Sequence, residues 1–573
     1  MYNNDTKNIA YAKMLLEHTP GVESSKIVSL LEAGLPCVPM KEAYKIPYDF
    51  LPGGTMYVEG VGECVFPIKL SHSSIIGATG SGKTTLIIFS LVLSLLYQGR
   101  SNFVVFDNKL ELYKMLAGRA KALGYNVKLI NTKNSNGLKN TEHYNFFTKS
   151  SRRYLDRMNK IGEGVEKEKG HGKDVYCYRG KHYNSKEELK KAYKKEKKDI
   201  ENENKSETSR RITQLLPYES QRDPHWERAG NKFLIGAKMA LDEDLLALNE
   251  RRNNLNQVNF YNIKNIFESF GTGRRGALED RGFFTERGKD SAAFNLVDRD
   301  FFNNAEVTMK NHHGFAAEAI EKIATKSFLD LTMANTIDFE EFVNGEKQIL
   351  FIAYDETNKS DTALTNMIIT DFIVTAQEVA DKSEKLKLDH PLQIVIDEFA
   401  SLPKNQELAE SIAKSRSRGI YYHLVIQSDA QLREKYEVSA ETIINNCNTS
   451  YFLGTNDYET IRRVSTSFGE KTDVSLEAIC SNRSDIAFSK RPAVSCSELK
   501  AAVRDGYVYI KSTYDSGLKS QFVPSYKYSD ANDYYANFRD YRVEFDEMSS
   551  YYDTDMIKKA DDDDDDDDDD FLF

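Results

Sequence analysis

Residues 77–84 read GATGSGKT, and this segment decides the fold of the chain around it. The spacing is that of a P-loop, in which glycine N–H groups wrap a polyphosphate, Lys83 reaches the β and γ phosphates, and Thr84 ligates Mg²⁺. The apolar residues 74–76 precede it like a strand, and residues 85–96 follow it like a helix, so the sequence predicts a nucleotide site. The candidate nucleotide-binding residues are Gly77, Ala78, Thr79, Gly80, Ser81, Gly82, Lys83, Thr84 and Thr85.

The net charge is misleading as a guide to partners. It is -11 over 573 residues, but residues 561–570 are ten consecutive aspartates, and without them the net charge is -1. Charge therefore has to be judged segment by segment. The length indicates roughly three or four domains.

Cysteine usage and hydropathy indicate a cytoplasmic protein. Six cysteines are scattered without a CxxC pair or a Cys/His cluster, as is typical of reduced thiols. The amino terminus lacks the basic-then-apolar form of a signal peptide. The most apolar segment, LIIFSLVLSLL at 86–96, is well short of the ~20 residues that a spanning helix requires. We therefore expect no transmembrane segment.

Strands and helices alternate on both sides of a long interruption. FVVF at 103–106 precedes Asp107, a helical pattern and the strand-like VKLINT. The pattern resumes with KQILFIAYD at 347–355 and continues through PLQIVIDEFASLP, YYHLVIQSD, TSYFLGTND and YVYIKST. Short apolar strands separated by helices predict a parallel sheet covered on both faces.

The interruption has two parts. Residues 148–222 hold 21 Lys plus Arg against 13 Asp plus Glu, which is typical either of an exposed charged insertion, helical or partly disordered, or of a nucleic-acid contact. Residues 223–345 have helical periodicity, with Trp226, Phe233 and Leu234 on one face. We expect a mostly helical lobe in which Trp226 is a core residue, with base stacking as the alternative.

A second nucleotide-site element lies at residues 394–398, IVIDE. An apolar strand that delivers two adjacent carboxylates is a Walker B arrangement: Asp397 holds Mg²⁺ through water, and Glu398 polarises the attacking water. Alone the pattern is weak, since strands often end in acids. Together with GATGSGKT it predicts an ATPase that uses ATP and Mg²⁺.

Several segments together resemble the motor domain of type IV coupling proteins, the TraG/TraD-like ATPases of conjugation and type IV secretion. The resemblance lies in IVIDEFASLP, KSRSRGIYYHLVIQSDAQLREKY and ETIINNCNTSYFLGTNDYETIRRVSTSFGEKT. Four further segments resemble the same family: VVFDNKLELY, HYNFF, DPHWERAG and RPAVSCSELKAAVRDGYVYI. The resemblance therefore covers about residues 75–510. It implies a RecA-like α/β domain with an inserted all-α lobe.

The resemblance also implies residue roles beyond the two nucleotide motifs. Arg416 matches the arginine that reaches into a neighbouring subunit's ATP site, with Arg418 as the runner-up, and Gln427 matches the sensor glutamine. In VVFDNKLELY the family usually has Gly where this sequence has Leu110, so Asp107 and Glu111 are weaker candidates. Coupling proteins usually begin with transmembrane helices, so we expect a variant without them.

The implied function is transfer of single- or double-stranded DNA, or of a relaxase or other secretion substrate, to a type IV secretion channel. A hexameric ring would act at the inner face of the cell membrane through a channel ATPase or membrane partner. A soluble HerA/FtsK-like DNA pump is the first alternative. A cargo-docking adaptor that binds nucleotide with little motor activity is the second.

We expect six segments: an N-terminal region at 1–55, motor segments at 56–147 and 346–520, the basic insertion at 148–222, the all-α domain at 223–345, and a C-terminal extension at 521–573. The extension ends in the ten aspartates followed by FLF. We expect this tail to be disordered. It serves solubility, or it docks on a basic surface of this chain or of a partner.

Overall fold

The protein is described here from a computed structural model. It describes residues 38–46, 50–58, 62–133, 138–169, 174–218, 224–248, 254–269, 281–299, 305–354, 359–474, 488–502, 504, 506–513, 517–528 and 530–552. The ten aspartates of the tail lie outside these ranges.

The chain forms two compact units. The sheet unit comprises Met1–Lys133, Asp338–Glu356 and Ile369–Tyr541, and the helical unit comprises Asn134–Ile337, Thr357–Ile368 and Arg542–Phe573. Residues 148–222 and 223–337 therefore belong to one unit.

The described strands are β1 Val38–Pro39, β2 Phe50–Val58, β3 Gly62–Lys69, β4 Ser73–Gly77, β5 Asn102–Phe106, β6 Asn126–Asn131, β7 Glu166–Lys169, β8 Asp174–Tyr178, β9 Lys181–Tyr183, β10 Gln348–Ala353, β11 Leu392–Ile396, β12 Ile420–Ile426, β13 Thr449–Gly454, β14 Glu470–Val474, β15 Phe488–Pro492, β16 Val508–Ser512 and β17 Leu518–Ser520. The described α-helices are α1 Phe89–Gln98, α2 Glu111–Ala122, α3 Thr148–Asn159, α4 Lys186–Leu215, α5 His225–Ala247, α6 Phe260–Ser269, α7 Arg281–Thr285, α8 Ala292–Val297, α9 Glu306–Ile323, α10 Lys326–Thr332, α11 Phe339–Asn344, α12 Lys359–Lys382, α13 Gln406–Lys414, α14 Asp429–Tyr436, α15 Val438–Asn446, α16 Tyr458–Ser467 and α17 Cys496–Ala501.

The sheet unit is built on a nine-stranded sheet with the order β17-β16-β13-β4-β12-β11-β5-β10-β6. The seven strands from β13 to β6 run parallel. Every residue of β4, β5 and β11 is buried, as expected for strands covered on both faces. The predicted α/β fold with a parallel sheet is confirmed.

The edges of the sheet unit contain antiparallel strands. β16 pairs antiparallel with β13, and β17 pairs antiparallel with β16. β2 and β3 form an antiparallel hairpin, and β2 begins at Phe50, so the expected segment boundary at residue 55 falls inside it. A run of strand-forming residues does not disclose its direction, which is why the pattern could not show the antiparallel edge.

The basic insertion is folded. It contains α3, the three-stranded sheet β7-β8-β9, and the 30-residue helix α4, which packs against α3 and α5. Ser185 caps α4, since its hydroxyl accepts a hydrogen bond from the Glu188 N–H at 3.2 Å. Tyr176, Tyr178 and Leu189 form a small core between the sheet and the helix. The low apolar content of residues 148–222 concealed this core.

Trp226 packs inside the helical unit. Its ring stacks on Phe315, with 6.1 Å between the ring centroids, and lies 5.4 Å from His312. Phe233 and Leu234, both about two helical turns further along α5, are buried. The expected helical face is therefore present, with Trp226 half-buried at its start.

A buried ionic network joins three helices of the helical unit. The Lys238 ammonium on α5 donates to the Asp242 carboxylate at 2.5 Å and to the Asn204 side-chain oxygen at 2.9 Å. Ser151 of α3 donates to the second Asp242 oxygen at 2.6 Å. Both charged side chains have no exposed area, and desolvation lowers the pKa of Lys238. Removal of either charge leaves the other buried and uncompensated.

We expect Lys238→Met to destabilise the helical unit by about 3–5 kcal/mol, because Asp242 stays buried without its cation. The double variant Lys238→Met, Asp242→Leu should recover much of that loss. Urea unfolding followed by Trp226 fluorescence reports on this unit alone, since the chain has one tryptophan. Equal destabilisation by the single and the double variant would contradict the coupling.

Candidate nucleotide site

The P-loop follows the carboxyl end of β4. Gly80 and Gly82 have φ angles of 77° and 86°, a backbone conformation that favours glycine. A Cβ atom at Gly77 would lie 2.4 Å from the Ser81 hydroxyl oxygen, so a side chain is excluded there. The Ala78 N–H is bonded to the Gly454 carbonyl of β13 at 2.7 Å, which ties the loop to the neighbouring strand. The sequence of the loop and its shape therefore agree.

Lys83 begins a helical turn, Lys83–Ile88, that leads into α1. Its ammonium donates to the carbonyl oxygens of Gly77 and Ala78 at 2.6 and 2.9 Å. Burial lowers the Lys83 pKa, and the charge of Asp397 opposes that effect. The cation is held at the centre of the loop, where phosphate oxygens would compete with the two carbonyls for it.

The predicted metal-binding pair comes together from two ends of the sequence. The Thr84 hydroxyl donates to the Asp397 carboxylate at 3.3 Å, across 313 residues of chain. Asp397 follows β11, and its N–H is bonded to the Phe106 carbonyl at 3.0 Å. Burial and the neighbouring Glu398 raise the pKa of Asp397 to about 6, while the hydrogen bond from Thr84 opposes the rise.

These groups fit a magnesium–nucleotide complex. A hydroxyl and a carboxylate oxygen in contact are ligands that Mg²⁺ prefers in such sites. Within the described part of the chain, the buried Ser81 hydroxyl oxygen has no hydrogen-bond partner, although it faces the loop. Thr79 and Gly80 are exposed at the mouth of the loop, and the Thr85 hydroxyl bonds the Gly82 carbonyl at 3.4 Å. The loop thus offers polar groups to a polyphosphate.

Glu398 is held by a residue that the sequence did not single out. Its backbone has a φ of 59°, and its carboxylate lies 3.1 Å from the Lys109 ammonium. This pair raises the pKa of Lys109. Lys109 belongs to the segment VVFDNKLELY, and the adjacency of β5 and β11 in the sheet brings it to Glu398. The sequence does not show that β5 and β11 are neighbours, so the contact between Lys109 and Glu398 could not be predicted from it.

Asp107 caps a helix. Its carboxylate is buried and accepts the N–H groups of Glu111 and Tyr113 at 3.1 and 2.7 Å, at the start of α2. Burial raises the Asp107 pKa to about 7, although these two hydrogen bonds oppose the rise. The Glu111 side chain is exposed. The two weaker candidates therefore shape the turn beside the site.

Leu110 occupies the turn where the resembling family has glycine. Its φ is 56°, which is the left-handed conformation, and its N–H is bonded to the Asp107 carbonyl at 3.1 Å. The Leu110 side chain is buried. The turn that glycine would favour is thus kept, and side-chain burial offsets the ~1–2 kcal/mol that the left-handed conformation costs.

Gln427 and Arg416 lie at opposite ends of β12. Gln427 follows Ile426, which is paired with Ile76 just before the P-loop, so Gln427 lies at the edge of the sheet that bears the site. Arg416 is exposed in the turn Arg416–Arg418, which precedes Ile420. The seven residues of β12 span about 20 Å, so Arg416 lies at the far edge of the sheet.

The environments of the two candidate arginines differ. Arg418 makes a bidentate pair with Asp381, with distances of 2.7 and 3.0 Å. Arg416 lies close enough to the buried His72 to contribute, after burial, to lowering the His72 pKa to about 4. The Asp381 pair occupies the Arg418 guanidinium, whereas the Arg416 side chain is exposed.

Comparison with known proteins gives a family match in the C-terminal half of the chain. Residues 391–501 match the family described as the TraM recognition site of TraD and TraG. The match covers 111 of the 573 residues, from the residue before β11 to the end of α17. No curated protein matches the sequence.

Solved structures support the coupling-protein fold. The bacterial conjugative coupling protein TrwBdeltaN70, in its unbound monoclinic form, is 16% identical, covers 84% of this chain and 91% of its own, and has a TM-score of 0.50. The plasmid coupling protein TrwB in complex with ADP and Mg²⁺ is 16% identical, with coverages of 79% and 85% and a TM-score of 0.47. VirB4 of Thermoanaerobacter pseudethanolicus is 11% identical, with coverages of 83% and 96% and a TM-score of 0.38. The last two TM-scores add nothing to the fold assignment.

Hydropathy adds one observation about the described helices. Among the residues that the structure describes, none of the helices combines the length and the apolar character needed to cross a bilayer.

Titration of Asp107 should change stability with pH. Its folded-state pKa of about 7 lies above the ordinary aspartate pKa of 3.8, so the folded state binds an extra proton between these values. The contribution of Asp107 to the free energy of unfolding is fully present below pH ~4 and is lost as pH rises through about 7. The free energy of unfolding falls with a slope of at most ~1.4 kcal/mol per pH unit. Asp107→Asn should flatten this fall in calorimetric melting between pH 5 and 7.5. The exposed Asp389→Asn variant is the control, and identical pH slopes for wild type and Asp107→Asn would contradict the assignment.

Proposed function

We propose that this chain is an ATP-hydrolysing coupling protein, which recruits DNA or a relaxase–DNA complex and drives its transfer to a type IV secretion channel. The observation that supports this most directly is the contact between Thr84 and Asp397, with Lys83 and Glu398 beside it. These are the groups that a phosphoryl-transfer site requires. The family match at residues 391–501 and the resemblance to coupling proteins supply the cargo class, and a channel ATPase or membrane protein would be the partner.

In this proposal each side chain has a separate task. Lys83 exchanges the carbonyls of Gly77 and Ala78 for phosphate oxygens. Thr84 and the deprotonated Asp397 hold Mg²⁺, which neutralises charge on the β and γ phosphates when bound. Glu398 orients the attacking water, and its carboxylate must leave Lys109 to do so.

Substitution of the loop lysine and the water-orienting glutamate tests the ATPase. Lys83→Ala should abolish nucleotide binding, because no other cation lies at the centre of the loop in the part described. Glu398→Gln should retain binding and lower the rate of ATP hydrolysis by about 10² or more. Phosphate release and fluorescent-nucleotide binding measure the two effects, with Glu410→Gln on the exposed face of α13 as the control.

Substrate transfer in cells distinguishes the motor from an adaptor. A motor loses transfer in both variants, whereas an adaptor keeps it in Glu398→Gln. Wild-type hydrolysis by Glu398→Gln would contradict the assigned role of that carboxylate. A soluble DNA pump would show DNA-stimulated hydrolysis without a secretion channel in the same cell.

We further infer that the site is completed by a second copy of the chain. Arg416 lies at the edge of the sheet opposite its own P-loop, about the length of β12 away, which is beyond the reach of an arginine side chain. An arginine finger is worth ~10³ or more in phosphoryl transfer when it meets the γ phosphate. A head-to-tail interface between copies would bring the two edges together, and closure of that interface would give a ring, a hexamer as in the resembling family.

Mixed oligomers test this sharing. Arg416→Ala alone and Lys83→Ala alone should each lose hydrolysis. In an equal mixture about one quarter of the interfaces join an intact Arg416 to an intact Lys83, so up to about a quarter of the wild-type rate should return. Arg418→Ala, the matched arginine, should retain most activity. A mixture that stays inactive, under conditions where the copies are shown to exchange, would contradict sharing.

A further inference from the structure

A stripe of lysines runs along the solvent face of α4. It consists of Lys191, Lys194, Lys195, Lys198 and Lys205. Their spacing of three, four and seven residues places them on one side of the helix, opposite the buried Leu189 and Ile200. All five are exposed, and none forms an ion pair with a described residue. The helix thus presents five positive charges in a row about 21 Å long.

Two acidic side chains border this stripe. Asp199 lies four residues after Lys195, and Glu201 lies three residues after Lys198 and four before Lys205, so both are at its edges. Glu201 pairs with Lys197 at 3.8 Å, and Glu196 pairs with Arg179 at 2.9 Å. Five lysines against two bordering carboxylates leave the stripe with a net positive charge, which attracts an extended polyanion.

The C-terminal segment 542–552, here called the strap, is bound to the same unit. The Tyr552 hydroxyl donates to the Asp244 carboxylate at 2.6 Å, and Asn259 and Asn262 each donate to the Ser550 carbonyl at 2.9 Å. The ring of Tyr551 packs on that of Tyr261, with 5.3 Å between centroids. These contacts fix the chain at Tyr552 on the helical unit.

The strap ends on α5, the helix that packs against α4. Asp242 accepts a hydrogen bond from Asn204 of α4 at 2.7 Å, whereas Asp244, which holds Tyr552, lies about 200° further round α5 and so faces away from Asn204. Residues 553–560 can span at most ~28 Å when extended, and residues 561–570 add ~33 Å. The chain beyond Tyr552 is therefore long enough to pass round α5 and bring aspartates to the stripe.

We propose that the tail aspartates 561–570 dock on the lysine stripe of α4 in the same chain. Ten carboxylates on an extended chain cover ~33 Å and so match the 21 Å stripe with excess length. Each exposed pair is weak, but the strap keeps the effective concentration of the tail near the millimolar range. Docking of this kind blocks the stripe to nucleic-acid phosphates until they displace it. The proposal does not depend on ATP hydrolysis.

Zero-length carbodiimide crosslinking of the full chain, read by peptide mass spectrometry, tests the proposal. The expected result is amide bonds between tail aspartates and the five stripe lysines, suppressed at about 1 M salt, where the Debye length is ~3 Å. Replacement of the ten aspartates by asparagine should remove them. Crosslinks from the tail mainly to lysines of the sheet unit would overturn the proposal.

Matched variants on two helices sharpen the test. Lys194→Gln with Lys198→Gln removes two stripe charges and should lower the yield of tail crosslinks to the remaining stripe lysines at least threefold. Lys310→Gln with Lys322→Gln removes two exposed charges from α9 of the same unit and should leave the yield unchanged. Trp226 fluorescence verifies that both variants are folded. Equal losses in the two variants would overturn the proposal.

Two further outcomes would assign a different ligand to the lysine stripe. In a mixture of isotope-labelled and unlabelled chains, crosslinks mainly between labels would place the tail of a second copy on the stripe. If tail crosslinks are absent while Lys194→Gln with Lys198→Gln weakens binding of an oligothymidine more than threefold, the stripe binds nucleic acid instead. Either result overturns docking within one chain, and crosslinks within single chains support it.

Discussion

The parallel register of β4, β12, β11 and β5 is the constraint on which the nucleotide site depends. Parallel strands deliver their carboxyl ends to one edge of a sheet, so the loops after β4, β5 and β11 meet there. The register places Thr84 against Asp397 although 313 residues separate them. It also allows a complete helical unit to be inserted between β6 and β10, which remain paired with one another. The site is therefore insensitive to the length of the interruption.

That same edge concentrates charge in a partly buried space. Asp107, Asp397 and Glu398 lie near one another, and burial raises the pKa of the first two to about 7 and about 6. Lys83 and Lys109 oppose this repulsion from two sides. A divalent cation would favour the charged form of Asp397, so cation binding and proton release are coupled at this residue. The geometry thus favours a carboxylate site that is completed by a cation.

Much of the site could be predicted because its motifs are local. The residue types in GATGSGKT and IVIDE identify the chemical groups that each motif presents. The apolar strand before each motif fixes its position at the end of a strand. Lys109 was missed because its partner is decided by which strands are neighbours. The left-handed Leu110 was not foreseeable either, since propensity disfavours it and only its buried side chain supports it. The core of residues 148–222 escaped notice because three aromatic or aliphatic residues are too few for a periodic signal.

The two ends of β12 impose opposite requirements on one short element. The carboxyl end of β12 must hold Gln427 at the edge of the sheet that bears the P-loop. Its amino end carries Arg416 at the opposite edge, near His72. Since the sheet neighbours of β12 fix both ends, a change at one edge cannot be relieved by sliding the strand without breaking the pairing with β4 and β11. If copies meet head to tail, β12 would form a rigid connection from one nucleotide site to the next. Its length, rather than any flexible loop, would then set the distance over which neighbouring sites communicate.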